Sequence, residues 1–153
     1  MIMNDSLLAR AAKLCSTSEH CTLQIREKIL SWGATEEETG SIIGYLIDEK
    51  YIDNLRFSRA YCHDKFLYSH WGRVKIRQML RHLHLSDEEI AEGLAVIPEE
   101  DYLQALSDAL RAKDRSLKDS DLYQRKGKLV RHLLSRGFET DLIIEAVDDL
   151  LGL

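Results

Sequence analysis

Gly72-Arg73-Val74-Lys75-Ile76-Arg77-Gln78-Met79-Leu80-Arg81-His82-Leu83-His84 sets Ile76, Leu80 and Leu83 at the spacing of one helix face. The same spacing returns in Ile25-Ile29-Gly33 and in Leu129-Leu133-Gly137. Ile76-Leu80-His84 is thus the middle of three copies offset by about fifty residues. Downstream of each copy a second pair recurs: Ile43 and Leu46, Leu94 and Ile97, Val147 and Leu150. Each period has room for three helices, so the chain is expected to be all-α, with nine helices in three tandem three-helix repeats. The repeats are set at 1–52, 53–97 and 98–153. One such unit cannot bury its apolar face alone, so neighbours must stack into an elongated array.

Working outward, the helix starts carry capping signals. Ser16-Thr17-Ser18-Glu19, Thr35-Glu36-Glu37-Glu38 and Ser86-Asp87-Glu88-Glu89 read as capping boxes, in which a hydroxyl and a carboxylate exchange hydrogen bonds with orphan amides. Asp53 and Thr140 read as single caps, Gly33 and Gly137 as helix ends, and Pro98 as punctuation. The inward stripe of the first repeat is expected to be Leu7, Leu8, Ala11, Ala12, Leu14 and Cys15, then Cys21, Ile25, Ile29 and Trp32, then Ile42, Ile43, Leu46 and Ile47. In the second it is Phe57, Ala60, Tyr61 and Leu67, then Ile76, Leu80 and Leu83, then Ile90, Leu94 and Ile97. In the third it is Tyr102, Ala105, Leu106 and Leu110, then Leu129, Leu133 and Leu134, then Ile143, Val147 and Leu150. Lys113 to Gln124 reads as a helix end followed by a loop.

Few aromatics and a single proline, Pro98, argue against a β fold. The longest apolar run, near Ile42 to Ile47, is far short of the roughly 18 residues of a membrane span, and no signal pattern opens the chain. Three cysteines at irregular spacing fit a reducing cytoplasm better than a disulfide framework. No phosphate loop, dinucleotide fingerprint, H-E-x-x-H or serine elbow occurs, so the expectation is no enzyme and no cofactor. Cys15, His20 and Cys21, with Cys62 and His63, lack the paired short spacings of structural zinc, and all three cysteines lie on apolar stripes; buried small hydrophobes, not metal ligands, are expected.

Net charge is −5, but it is segregated. Arg56, Arg59, Lys65, Arg73, Lys75, Arg77 and Arg81 face one acid, Asp64, in their segment. Nine basic residues from Arg111 to Arg136, among them Lys126, Lys128 and Arg131, face Asp114, Asp119 and Asp121. Arg73, Arg77 and Arg81 follow one another at i, i+4 and i+8 and so share a row. Such segregation makes a local basic surface, or else each basic helix neutralises an acidic neighbour. Those ten cations (Arg56, Arg59, Lys65, Arg73, Lys75, Arg77, Arg81, Lys126, Lys128 and Arg131) are the candidate binding residues.

Tyr51-Ile52-Asp53-Asn54-Leu55-Arg56-Phe57-Ser58-Arg59-Ala60-Tyr61 resembles the G-Y-L-D-D-x-R-F-A-x-x-Y pattern of the RecX family, the modulators of the RecA recombinase. Gly72-Arg73-Val74-Lys75-Ile76-Arg77-Gln78-Met79-Leu80 resembles its G-x-x-R-I-x-x-E-L, and Arg136-Gly137-Phe138 its third-unit R-G-F. Lys50, Asn54 and Met79 depart from the pattern, standing where the family has glycine, aspartate and glutamate. The resemblance implies a non-enzymatic, monomeric, cytoplasmic regulator whose repeats form a curved array along the groove of the RecA–single-stranded DNA filament. There it would inhibit ATP hydrolysis, strand exchange and filament extension, with weak direct DNA contact and no membrane. A helical DNA-binding module or a protein-interaction scaffold without a recombinase are the alternatives.

Overall fold

The computed structural model describes residues 4–118 and 120–153. Among the described residues there are nine helices and no strand: α1 (Asp5–Thr17), α2 (Thr22–Ser31), α3 (Glu36–Asp48), α4 (Asn54–Leu67), α5 (Arg73–His82), α6 (Asp87–Leu94), α7 (Glu99–Ser116), α8 (Leu122–Arg136) and α9 (Thr140–Leu151). They gather into two compact units. One takes residues up to Tyr61 with Leu80–Gly93, the other Cys62–Met79 with Leu94–Leu153. The division falls within α4, α5 and α6, so the central repeat contributes to both units.

In the first unit Ala11, Ile25, Ile29, Ile42, Ile43, Leu46 and Ile52 form a core, with Leu7, Leu8, Leu14, Cys15 and Trp32 packed against it. Apart from Ile52, which the sequence reading did not include, these are residues of the predicted stripes; one stripe residue and one cap need correction. Ile47 is 46% exposed, because it lies beyond the face set by Ile42, Ile43 and Leu46. Ser16 caps nothing: it lies inside α1, and its hydroxyl donates to the Lys13 carbonyl at 2.6 Å, as Thr17 does to Leu14 at 2.7 Å. A serine in a last turn satisfies a carbonyl in this way as readily as it caps a following helix. α2 instead starts after Cys21, whose N–H donates to Gln24 Oε1 at 3.1 Å, while Asn54 Oδ1 accepts the Thr22 N–H at 3.0 Å.

The Thr35 and Ser86 capping boxes and the Asp53 cap form as the sequence predicts. Thr35 and Glu38 exchange bonds of 3.1 and 3.0 Å. Ser86 and Glu89 exchange bonds of 3.1 and 2.8 Å. Asp53 Oδ1 accepts the Arg56 N–H at 3.1 Å. In the second unit Tyr102, Leu106, Leu110, Leu129, Leu133, Phe138, Ile143 and Val147 are buried. Leu67 and Leu134 are not, at 46% and 43% exposure; Phe66, one position back from Leu67, stacks on Tyr102 instead, with ring centroids 6.0 Å apart. Pro98 is the N-cap of α7, and Glu139, not Thr140, occupies that position before α9. α7 runs on to Ser116, and Asp121 accepts the Tyr123 N–H at 2.9 Å to open α8; Asp119 lies outside the described residues.

The last positions of the three aligned copies share one backbone state. Gly33, His84 and Gly137 all have positive φ, at 93°, 62° and 94°, as the left-handed residue that closes a helix. Lys50 does the same after α3, at 62°. A side chain there costs about 1 kcal/mol relative to glycine, so His84→Gly should stabilise the protein by up to that amount. Urea denaturation checks it; a lower midpoint would show that the imidazole contributes a contact outweighing the strain.

Candidate functional site

The ten candidate cations meet very different surroundings. Arg56 donates Nε to Glu19 Oε1 at 2.6 Å and its terminal nitrogens to the Lys50 and Tyr51 carbonyls at 3.1 and 3.2 Å. Arg59 pairs with Glu92 at 2.7 Å, Arg81 loosely with Asp87 at 3.8 Å, and Lys126 with Asp148 at 2.8 Å. Arg125, outside the ten, pairs with Asp114. The charge segregation seen along the chain is thus in good part cancelled in space, basic helix against acidic neighbour. Solvent-exposed pairs of this sort are each worth about 0–1 kcal/mol.

Arg73 is held most tightly. It starts α5, and its guanidinium donates to Glu139 Oε2 at 2.8 and 2.7 Å and to Glu99 Oε2 at 2.8 Å. The same guanidinium lies 3.8 Å from the centroid of the Tyr102 ring. Tyr102, fully buried, closes the circuit: its Oη accepts the Arg73 backbone N–H at 2.9 Å and donates to Glu139 Oε1. Burial, then the bond to Glu139, pushes the Tyr102 hydroxyl well above the usual phenol range. Arg73 of α5, Tyr102 of α7 and Glu139 at the N-cap of α9 therefore share one hydrogen-bonded knot.

Beside the knot the backbone of α5 meets the end of α8. Gly72 N–H donates to the Arg136 carbonyl at 2.7 Å, and Val74 N–H to the Gly137 carbonyl at 2.9 Å. A Cβ on Gly72 would fall well inside contact distance of the Gly137 carbonyl and Phe138 N; one on Gly137 would strike Lys75. The sequence motifs Gly72-Arg73 and Arg136-Gly137-Phe138 are therefore two sides of one backbone contact. Sequence reasoning quoted both without joining them; it read Tyr102 only as a core aromatic and did not single out Glu139.

Other cations lie in the same unit. Lys75 Nζ sits 4.6 Å from the Trp71 ring centroid, and Lys65 Nζ 4.9 Å from it. Arg77 is half-buried and Arg131 exposed, and neither has an ion pair among the described residues. Lys128 is exposed on α8. Cys21 and Cys62 are buried, and no group of three or more potential metal ligands occurs among the described residues. Among the described residues no helix is long and apolar enough to cross a membrane.

The fold and this site define a helical-repeat protein built on three-helix domains. Residues 53–94 match the second three-helix domain of RecX and residues 99–147 the third. The chain is 30% identical to the regulatory protein RecX of Prosthecochloris aestuarii, over 97% of its own length and 99% of the relative's. It is 29% identical to that of Ralstonia pickettii, covering 95% and 91%. A crystal structure of RecX from Lactobacillus salivarius superposes with a TM-score of 0.82 at 16% identity, covering 98% of this chain and all of the other, which is a likeness of fold. The chain belongs to the RecX family.

Two outcomes test the knot. Gly72→Ala forces the α5–α8 backbones apart and should cost about 3 kcal/mol in urea denaturation, whereas Gly44→Ala, on an exposed helix face with nothing near its Cβ, should cost nothing. Tyr102→Phe leaves the Arg73 N–H without its acceptor and should cost about 1–2 kcal/mol. Because the folded state raises the Tyr102 pKa, the stabilisation is complete below the unfolded value near 10 and is lost as pH climbs above it. Wild-type stability should therefore fall more steeply above that pH than Tyr102→Phe stability, and parallel curves would refute the assignment.

Proposed function

We propose that this chain is a non-enzymatic regulator that binds the RecA–single-stranded DNA filament and inhibits its ATPase, strand exchange and extension, acting as a monomer in the cytoplasm. Its three tandem repeats (1–52, 53–97 and 98–153) supply successive contacts along the partner. The observation that carries this is full-length kinship: the 30% identity to a protein named regulatory protein RecX extends over nearly all of both chains. What a regulator needs from its surface is charge that the fold has not already used. On that criterion the contact residues are Lys75, Arg77 and Arg131; Lys65 and Lys128 join them only as cations of the same basic segments. Arg56, Arg59, Arg73, Arg81 and Lys126 have carboxylate partners within the chain and serve first to hold it together.

Cationic contacts to phosphates or acidic protein surface weaken with salt. The DNA-dependent ATPase of a RecA recombinase should fall when the protein is added at low salt, and the inhibition should fade as salt rises. Arg77→Glu with Arg131→Glu should raise the concentration for half-inhibition by about tenfold, while Arg59→Gln leaves it within about twofold. No inhibition and no co-sedimentation with filaments at low salt would sink the proposal.

A further inference from the structure

Within the second unit, Trp71 borders an open cleft of about 280 Å³. Phe66, Trp71 and Phe138 are its aromatic walls, and His70, Asp108 and Arg136 its polar members. Small-molecule pockets begin at roughly 300 Å³, so the space suits one planar ring rather than a larger molecule. Arg136 Nε is buried and has no hydrogen-bond partner. The surroundings are positive: Lys65 and Lys75 lie within 4.9 and 4.6 Å of the Trp71 ring centroid, and His132 is held below its usual range by burial, then by Lys113 and Arg136.

We propose that the Trp71 cleft is a nucleobase site for single-stranded nucleic acid: one base enters between the aromatic walls, and Lys65 and Lys75 meet the flanking phosphates. Aromatic platforms framed by cations bind single strands because every base has a π-face and every linkage a negative charge. Charge discriminates between occupants, since Lys75 lies over the Trp71 ring and Arg136 lines the cleft. A phenylalanine ring from a protein partner would fill the cleft but bring no anion, whereas a base in a strand comes with a phosphate on either side. His70 and Asp108 add a titratable donor and an acceptor for the edge of the base. A duplex is excluded, since its bases are stacked and paired. The site deepens the regulator proposal by naming what part of the filament this unit touches, and it rests on that proposal only for its biological setting.

Trp32 and Trp71 are the two tryptophans, so Trp32→Phe leaves Trp71 as the sole reporter. Its emission is followed as this otherwise intact protein is titrated with a thymidylate oligonucleotide of about 12 nucleotides, with an abasic strand of equal length, and with a duplex. The normal strand should quench Trp71 and bind about tenfold more tightly than the abasic strand. Trp71→Ala, read by anisotropy of a labelled strand, should abolish that preference and leave abasic-strand affinity unchanged. Equal affinity for normal and abasic strands, or a preference that survives Trp71→Ala, overturns the site. Quenching by a phenylalanine-containing acidic peptide but not by the oligonucleotide overturns it too, assigning the cleft to a protein partner. Recombinase ATPase, measured in parallel, separates the two ideas: inhibition without base preference overturns the base site alone, and base preference without inhibition overturns the regulator alone.

Discussion

Packing in the second unit depends on the approach of two backbones, Gly72 at the head of α5 and Gly137 at the foot of α8. Only hydrogen separates them, and two amides of one helix start bond to two carbonyls of the other helix end. Each helix terminus exposes orphan groups, donors at the start and acceptors at the end. Here one terminus satisfies part of the other, and the Tyr102 hydroxyl takes the Arg73 amide that lies between the two bonds. That contact fixes where α5 begins, and hence where Arg73, the next residue, can reach. The Arg73–Glu139–Tyr102 knot is its consequence: with the backbones this close, the guanidinium lies over the Tyr102 ring and between two carboxylates. The knot suits a half-buried position, because Glu139 has both oxygens engaged and the Tyr102 hydroxyl both donates and accepts.

The same logic explains what becomes of the segregated charge. A helix with an arginine every four residues repels itself unless something opposes the row. In this chain the opposing charge comes from residues distant in sequence: Glu19 for Arg56, Glu92 for Arg59, Glu139 for Arg73. The acidic excess outside the basic segments is therefore partly structural. It is also why a net charge of −5 does not decide whether the protein meets an anionic partner. What matters is the remainder after internal pairing, and in the second unit that remainder includes Lys75, Arg77 and Arg131.

Most of the fold is legible in the chain itself, because its information is periodic. Ile25-Ile29, Ile76-Leu80 and Leu129-Leu133 are buried, and the position closing each copy is left-handed whether it holds glycine or histidine. What failed was local and degenerate. Ser16 matches a capping box yet serves the end of the preceding helix, since a hydroxyl bonds a carbonyl behind it as well as an amide ahead. Ile47, Leu67 and Leu134 are apolar but exposed; composition marked them as core where geometry does not. The site was less legible than the fold. Whether an arginine is committed or available depends on a carboxylate up to 66 positions away, and no pattern within one helix carries that information.

That difference separates residues that are prominent in a motif from residues that are available to a partner. Arg73 stands at the centre of the sequence pattern, and its position there follows from the knot it must make: an arginine that starts a helix two atoms from a glycine contact has one geometry open to it. Trp71, two positions earlier, belongs to no motif element, yet its ring borders the cleft and gathers the lysines on either side of Gly72. The glycine contact that immobilises Arg73 also presents Trp71, because a chain pinned at Gly72 by its own backbone leaves the preceding side chain little freedom to turn inward. Rigidity spent on folding at one residue thus becomes preorganisation at its neighbour, which lowers the ordering cost of any ligand that meets it.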